Sequence, residues 1–191
     1  MFRIIPLGKT LETSHGPFKE YLASLSSENF TRTKIGLGSI NMEDLTQRSS
    51  WTCDTSLTIS VNDYLEGKHI PISEDTEFTL LKYELGDFFK LHRDSKGTHT
   101  CLIYGGSEYK GGTLTLQNKL TDIQVHPQKI SEGYVMILFS IDFLHEVAPI
   151  LEGTRYVLKT SIQLEEEKEE EKEEEEIELG GYLDCCPDGD Y

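Results

Sequence analysis

Three side chains able to hold a divalent cation stand in two short segments of this 191-residue sequence. His92 and Asp94 belong to His92-Arg93-Asp94, and His145 lies in Phe143-Leu144-His145-Glu146-Val147. On an extended strand, residues i and i+2 point to one face, so an imidazole and a carboxylate would be presented side by side with Arg93 turned away. A His-x-Asp pair taken alone is more often an exposed polar pair than a metal site. His145 taken alone reads first as a hydrogen-bonded core histidine, because the apolar run ending at Phe139 implies a buried neighbourhood. Arg155 alters the balance. It follows the turn signal Glu152-Gly153, ten positions beyond His145, and brings a planar guanidinium fork suited to a carboxylate.

Two imidazoles and one carboxylate leave coordination positions open, the donor set associated with non-haem Fe(II) oxygenases, and the arginine would anchor an acidic cosubstrate. Lys159 is the rival cation. It lies four residues along the same segment as Arg155 and so on the same face of a strand, although spacing from His145 favours Arg155. His99 and His126 have no carboxylate or histidine at same-face spacing and read as surface or loop residues.

The elements that must carry these side chains are mostly strands. Near the start, Phe18, Tyr21, Leu22 and Leu25 recur at helical spacing, with Pro17 placed to open the helix and Ser14 as its cap. Residues 35–50, rich in glycine and polar groups, read as loop or short irregular elements. From Ser56 the period changes to two, with Leu57, Ile59 and Val61 alternating with polar neighbours. Short strand-like runs then follow: Phe78–Leu85, Phe88–Asp94, Thr98–Tyr104, Thr113–Gln117, Thr121–Val125, Tyr134–Phe139, Phe143–Val147 and Thr154–Gln163. Glycine-rich turn signals such as Gly86-Asp87, Lys96-Gly97 and Gly111-Gly112 separate them, which argues for a sandwich or barrel in place of alternating strands and helices.

The run from about Phe78 to Gln163 resembles the Fe(II)/2-oxoglutarate-dependent dioxygenase superfamily, and most closely its prolyl 4-hydroxylase-like branch. The resemblance is carried by Lys82-Tyr83-Glu84-Leu85-Gly86-Asp87-Phe88-Phe89-Lys90-Leu91-His92-Arg93-Asp94, by Tyr104, by Gly111-Gly112-Thr113-Leu114-Thr115-Leu116, by Gly133 and Phe139, and by His145 through Tyr156. It implies a mainly β (α+β) protein with a double-stranded β-helix core of the jelly-roll or cupin-like kind over residues 76–164. Residues 1–75 would form an N-terminal support of helices and strands, and residues 165–191 an acidic low-complexity tail. His92, Asp94 and His145 would be the iron ligands, and Arg155 would pair with the distal carboxylate of 2-oxoglutarate. Tyr83 and Tyr104 match tyrosines that line the cosubstrate pocket in related enzymes, although barrel packing alone also explains aromatic residues there. Iron(II), 2-oxoglutarate and O2 are the implied cofactors, with ascorbate as an accessory reductant. The implied reaction hydroxylates a C–H bond, of a prolyl or other residue in a protein or peptide, with release of succinate and CO2. A small metabolite, a nucleic-acid base, or a retired fold serving only for binding are the alternatives. Two departures from the common pattern fall near a strand edge: Thr113, where an acidic residue is more usual, and Gly105-Gly106 where relatives often carry Leu-Asn. His15 and His69 lie outside the matched region.

Charge sets further bounds. The formal net charge is −16, but residues 165–191 carry 14 acidic groups against 2 lysines, a net of −12. The remainder has 34 − 14 = 20 acidic and 18 − 2 = 16 basic residues, a net of −4. That body offers no basic stripe for a nucleic-acid backbone, so nucleic acid is disfavoured as a partner. The Glu-rich run has no apolar face to bury and reads as a disordered, solvated tail that could contact a basic partner. Four cysteines, including the adjacent Cys185 and Cys186, show neither disulfide nor zinc spacing. With no signal-like or membrane-length apolar run, the expectation is a cytoplasmic protein with no membrane partner.

Overall fold

The computed structural model describes residues 1–33, 35–37, 40–42, 48–60, 70, 72, 75–105, 107–129 and 133–164. Val61, His69 and the acidic tail with Cys185 and Cys186 lie outside the described residues.

An eight-stranded antiparallel sheet dominates. Its strands run in the order Phe2–Gly8, Tyr134–Ser140, His99–Tyr104, Arg155–Ile162, Glu77–Tyr83, Trp51–Cys53 and Phe30–Arg32, with Leu57–Thr58 also pairing with Glu77–Tyr83. Facing it is a five-stranded antiparallel sheet in the order Asp122–Val125, Leu114–Gln117, Leu144–Val147, Phe88–His92 and Arg48–Ser49. These two facing sheets are those of a double-stranded β-helix. Among the described residues no helix is long and apolar enough to cross a membrane.

The large sheet is buried on both faces, which explains why its central strands read as unbroken apolar runs where alternation might have been expected. In Tyr134–Ser140, the residues Tyr134, Met136 and Leu138 enter a cluster with Phe18, Leu22 and Ile5. Val135, Ile137 and Phe139 enter a second cluster between the sheets, with Leu114, Leu116 and Val147. The same alternation divides Arg155–Ile162. Leu158 and Ile162 go to the outer cluster, whereas Val157 packs between the sheets. Arg155 and Lys159 share the parity of Val157, and so belong to the inter-sheet face.

The amphipathic helix forms over Phe18–Ser24 and buries Phe18, Tyr21 and Leu22. Pro17 occupies its N-cap position, without a side-chain cap hydrogen bond. Ser14 is not the cap: its Oγ accepts from the backbone N–H of Thr58 at 3.2 Å, tying the preceding turn to a strand. Among the described residues before Glu77, strands outnumber helices. Phe2–Gly8 lies along the edge of the large sheet against Tyr134–Ser140, burying Ile5 and Leu7. Pro6 is tolerated there because an edge strand can spare an N–H. Of the expected loop over 35–50, the described residues include strands, with Ile35–Leu37 pairing Ile40–Met42 and Arg48–Ser49 pairing Phe88–Phe89. A short ladder between Tyr109–Gly111 and Ile150–Gly153 was likewise hidden by its glycines.

Candidate metal centre

The small sheet supplies both imidazoles. His92 ends the strand Phe88–His92 and His145 sits in Leu144–Val147, and the two are direct partners in the antiparallel ladder. Their ring centroids lie 4.1 Å apart. Phe89 stacks on His92 with centroids 3.4 Å apart, and Phe139 meets His145 edge-on at 4.9 Å. These contacts restrict both rings to one orientation.

Asp94 arrives differently from the expected strand pair. The strand stops at His92, and Asp94 lies in the irregular segment beyond it. Its carboxylate is fastened from the opposite sheet. Thr100 Oγ1 donates to Oδ2 at 2.6 Å, and Lys159 Nζ donates to Oδ1 at 2.6 Å. Arg93 is exposed. The result is a cluster in which one donor atom from each of His92, Asp94 and His145 lies within 4.8 Å of the others. His145 Nε2 stands 3.6 Å from Asp94 Oδ2, and His92 Nε2 stands 4.0 Å from Asp94 Oδ1.

The donor chemistry fits a divalent metal. His92 Nδ1–H donates to the Lys90 carbonyl at 2.8 Å, which leaves the lone pair on Nε2, the atom turned toward the cluster. That Nε2 is buried and has no hydrogen-bond partner, a costly arrangement for a polar atom unless a ligand completes it. His145 makes a longer contact of the same type, Nδ1 to the Phe143 carbonyl at 3.5 Å. Burial, reinforced by the neighbouring His145, pushes the His92 pKa down to about 3, so its imidazole is neutral near pH 7. For Asp94, burial acts upward, but the Lys159 ammonium and the Thr100 hydrogen bond outweigh it and bring the pKa to about 2. Deprotonated ligands are what a metal requires.

Beside the cluster lies a small cavity, part of it open to solvent, that His92 and His145 themselves help to line. Leu81, Leu102, Leu114, Val147 and Val157 make its walls apolar, and Tyr83, Tyr104, Arg155 and Lys159 add polar groups. Arg155 is only 1 % exposed. It is the ladder partner of Tyr83, whose ring lies 4.1 Å from the guanidinium carbon, and the Tyr104 ring lies 5.7 Å away. Arg155 Nη1 donates to the Gly112 carbonyl at 2.8 Å, while Nε is buried without a hydrogen-bond partner. Burial also raises the Tyr104 pKa, keeping its hydroxyl protonated and able to donate. Both rival cations line the cavity, Lys159 engaged with Asp94 and Arg155 with the Gly112 carbonyl.

An oxidoreductase of the 2OG-Fe(II) oxygenase family from Burkholderia pseudomallei superposes on this arrangement of strands with a TM-score of 0.51, at 12 % sequence identity, covering 83 % of each chain. This chain has the fold of a 2OG-Fe(II) oxygenase. A prolyl-4-hydroxylase from Pseudomonas putida aligns at 18 % identity over 67 % of this chain and 75 % of that one, with a TM-score of 0.46. No family model matches the sequence, and no curated protein does either.

Within this oxygenase fold the other histidines among the described residues are occupied elsewhere. His99 Nδ1 pairs with the Thr98 hydroxyl at 2.9 Å, and His15 stacks on Tyr21. His126 Nδ1 meets the hydroxyl of Thr113 at 3.2 Å. Sequence reasoning missed Thr100, Phe89 and the carbonyl of Gly112. Thr100 carried a usable signal, since it shares the parity of Leu102 and Tyr104 on a strand whose alternate residues face the cavity. The Gly112 contact carried none, because a backbone acceptor leaves no mark in a sequence.

Proposed function

We propose that this chain is an Fe(II)- and 2-oxoglutarate-dependent dioxygenase that hydroxylates a C–H bond, with a prolyl residue of a peptide or protein as the preferred target. One observation carries the reading: a His-Asp-His cluster with an orphaned imidazole nitrogen opens onto the same cavity as a buried arginine. His92, Asp94 and His145 would hold the iron, two neutral donors and one anion. Iron bound there supplies oxygen activation, coupling oxidative decarboxylation of 2-oxoglutarate to succinate and CO2 with oxidation of the substrate C–H bond.

The chain's own residues bind, orient and exclude water. Arg155 offers a fixed fork to the distal carboxylate of the cosubstrate, and its orphaned Nε is a donor in need of an acceptor. Tyr83 packs against that guanidinium, and the Tyr104 hydroxyl would donate to the bound anion. The apolar walls keep the reaction away from solvent, where a reactive oxidant would be quenched. The peptide substrate class rests on the sequence resemblance to the prolyl 4-hydroxylase-like branch, and on no feature of the cavity.

The test is direct. Purified protein supplied with Fe(II), ascorbate and 2-oxoglutarate is expected to release succinate above the level of an Asp94→Ala variant. A screen of proline-containing peptides should then yield products heavier by one oxygen atom. Succinate release equal to that of the variant would sink the oxygenase reading. Turnover with no peptide modified, while a small molecule is hydroxylated, would sink only the substrate class.

A further inference from the structure

Of the two cations lining the cavity, Arg155 has a task in the reading above and Lys159 has none. Lys159 is nevertheless tightly placed. Its backbone is held between two neighbours in the middle of the large sheet, opposite Thr79 on one side and Leu102 on the other. Only its side chain can move, and that side chain reaches the carboxylate of a proposed metal ligand at 2.6 Å.

We propose that Lys159 is a positioning residue that competes with the metal for Asp94 and thereby couples metal binding to binding of the anionic cosubstrate. This rests on the metal reading of His92, Asp94 and His145. Both Asp94 oxygens carry a donor, Thr100 on Oδ2 and Lys159 on Oδ1. A divalent ion seated among the three ligands must draw on one or both of these oxygens. The two donors then respond differently. A hydroxyl can rotate its hydrogen away and remain neutral, whereas an ammonium stays positive wherever it turns. Asp94 and Lys159 are only 12 % and 25 % exposed at their side chains, so water and salt screen the repulsion between ammonium and metal poorly. The ammonium must therefore give up Asp94 as the metal takes it.

Where it goes is set by the strand. Lys159 shares a face with Val157 and Arg155, and lines the same cavity. An anion bound against Arg155 is the counter-charge within reach of the displaced ammonium. A dicarboxylate in the cavity thus relieves the cost of displacing Lys159, and the metal releases Lys159 to meet the dicarboxylate. Linkage makes the effect reciprocal: each ligand strengthens the other by the same factor.

Manganese(II), which binds such donor sets without redox chemistry, is the probe. Metal-stripped full-length protein is titrated calorimetrically with Mn(II), with and without 2-oxoglutarate, for the wild type, Lys159→Met, Lys159→Gln and Lys119→Met. Lys119 is an exposed lysine that controls for the loss of one positive charge. Lys159→Met and Lys159→Gln are expected to bind Mn(II) about tenfold more tightly than wild type in the absence of 2-oxoglutarate, and to gain less from adding it. Lys119→Met should match the wild type. A merely structural role for Lys159 predicts the opposite sign, because a loosened site binds metal more weakly. If the wild type binds Mn(II) and the Lys159 variants bind it equally or more weakly, or keep the full cosubstrate effect, the role of Lys159 is overturned and the metal centre stands. If none of the proteins binds Mn(II), the metal centre falls and this role falls with it.

Discussion

His92 and His145 are direct cross-strand partners in the small sheet, so the spacing of the two imidazoles is set by backbone pairing and not by side-chain reach. That pairing makes the two residues separable from the fold around them. His145 is buried against the Phe139 ring, whereas His92 is half-buried at a strand end. Replacing either with Ala is expected to lower Mn(II) affinity by at least about a hundredfold, beyond the loss seen when only an outer-shell partner is removed. His92→Ala should leave the melting temperature of the metal-free protein nearly unchanged or raise it, since an unpartnered buried nitrogen is removed. Calorimetric titration beside a thermal melt measures both. Full Mn(II) affinity in either variant would remove that histidine from the ligand set.

Arg155 is buried in the lining of the cavity, and its contribution can be separated from that of the metal. Arg155→Gln keeps polar atoms but loses the charge and the fork. It is expected to weaken 2-oxoglutarate binding by about ten- to a hundredfold, the range for losing a hydrogen bond to a charged group. Mn(II) affinity measured without cosubstrate should change little, because the contacts that hold Asp94 come from Thr100 and Lys159. Equal losses of metal and cosubstrate affinity would mean that Arg155 supports the fold and does not recognise the anion.

Part of this site was legible in residue types and part was not. His92, Asp94, His145 and Arg155 stand out because metal and carboxylate chemistry needs those side chains, and no surrounding structure is required to suspect them. What holds Asp94 in place depends on sheet register. Thr100 is 6 positions from Asp94 and Lys159 is 65 positions away, and they converge only because their strands are neighbours in the large sheet. Eight of the strands from Glu77 onward were readable from turn signals, but the short pair Tyr109–Gly111 and Ile150–Gly153 was not; nor was the edge strand Phe2–Gly8, since Pro6 argues against a strand anywhere except at an edge. The expected strand geometry for His92-Arg93-Asp94 failed at its last residue for a related reason. Asp94 answers to the opposite sheet, and that pull ends the strand at His92.

Acid should destabilise the metal-free protein in two stages. The His92 pKa is pushed down to about 3 from an ordinary 6.5, so the unfolded chain takes up a proton that the folded one refuses. Its neutral form therefore contributes full stability above about pH 6.5, and that contribution falls progressively toward pH 3. Asp94, lowered to about 2 from 3.8, contributes fully above about pH 4 and is lost as pH falls through 2. Thermal melts in chelator should show a melting temperature that declines below pH 6.5 and more steeply below pH 4. His92→Asn removes the first group, so the decline between pH 6.5 and 4 should be shallower than in wild type. Parallel profiles for the two proteins would contradict the depressed imidazole pKa.

Gly112 joins the turn chemistry of the chain to its proposed cosubstrate pocket. Its φ of +63° is a conformation that an L side chain adopts with strain, and its carbonyl accepts from Arg155 Nη1. A Cβ added there would lie 2.6 Å from Ile150 Cδ1 and 3.1 Å from Arg155 Nη1. The isoleucine methyl can rotate away, but the guanidinium is enclosed by Tyr83 and must shift as a unit. Gly112→Ala is therefore expected to cost at least about 1 kcal/mol in stability, from backbone strain at positive φ. The displaced guanidinium should also weaken 2-oxoglutarate binding several-fold, with Mn(II) affinity retained. Asn tolerates the left-handed conformation better than Ala does, so Gly112→Asn separates the two effects: it should recover part of the stability while losing the cosubstrate to at least the same degree. If Gly112→Asn restored cosubstrate affinity along with stability, backbone strain alone would account for both losses, and the contact with Arg155 would carry no functional weight.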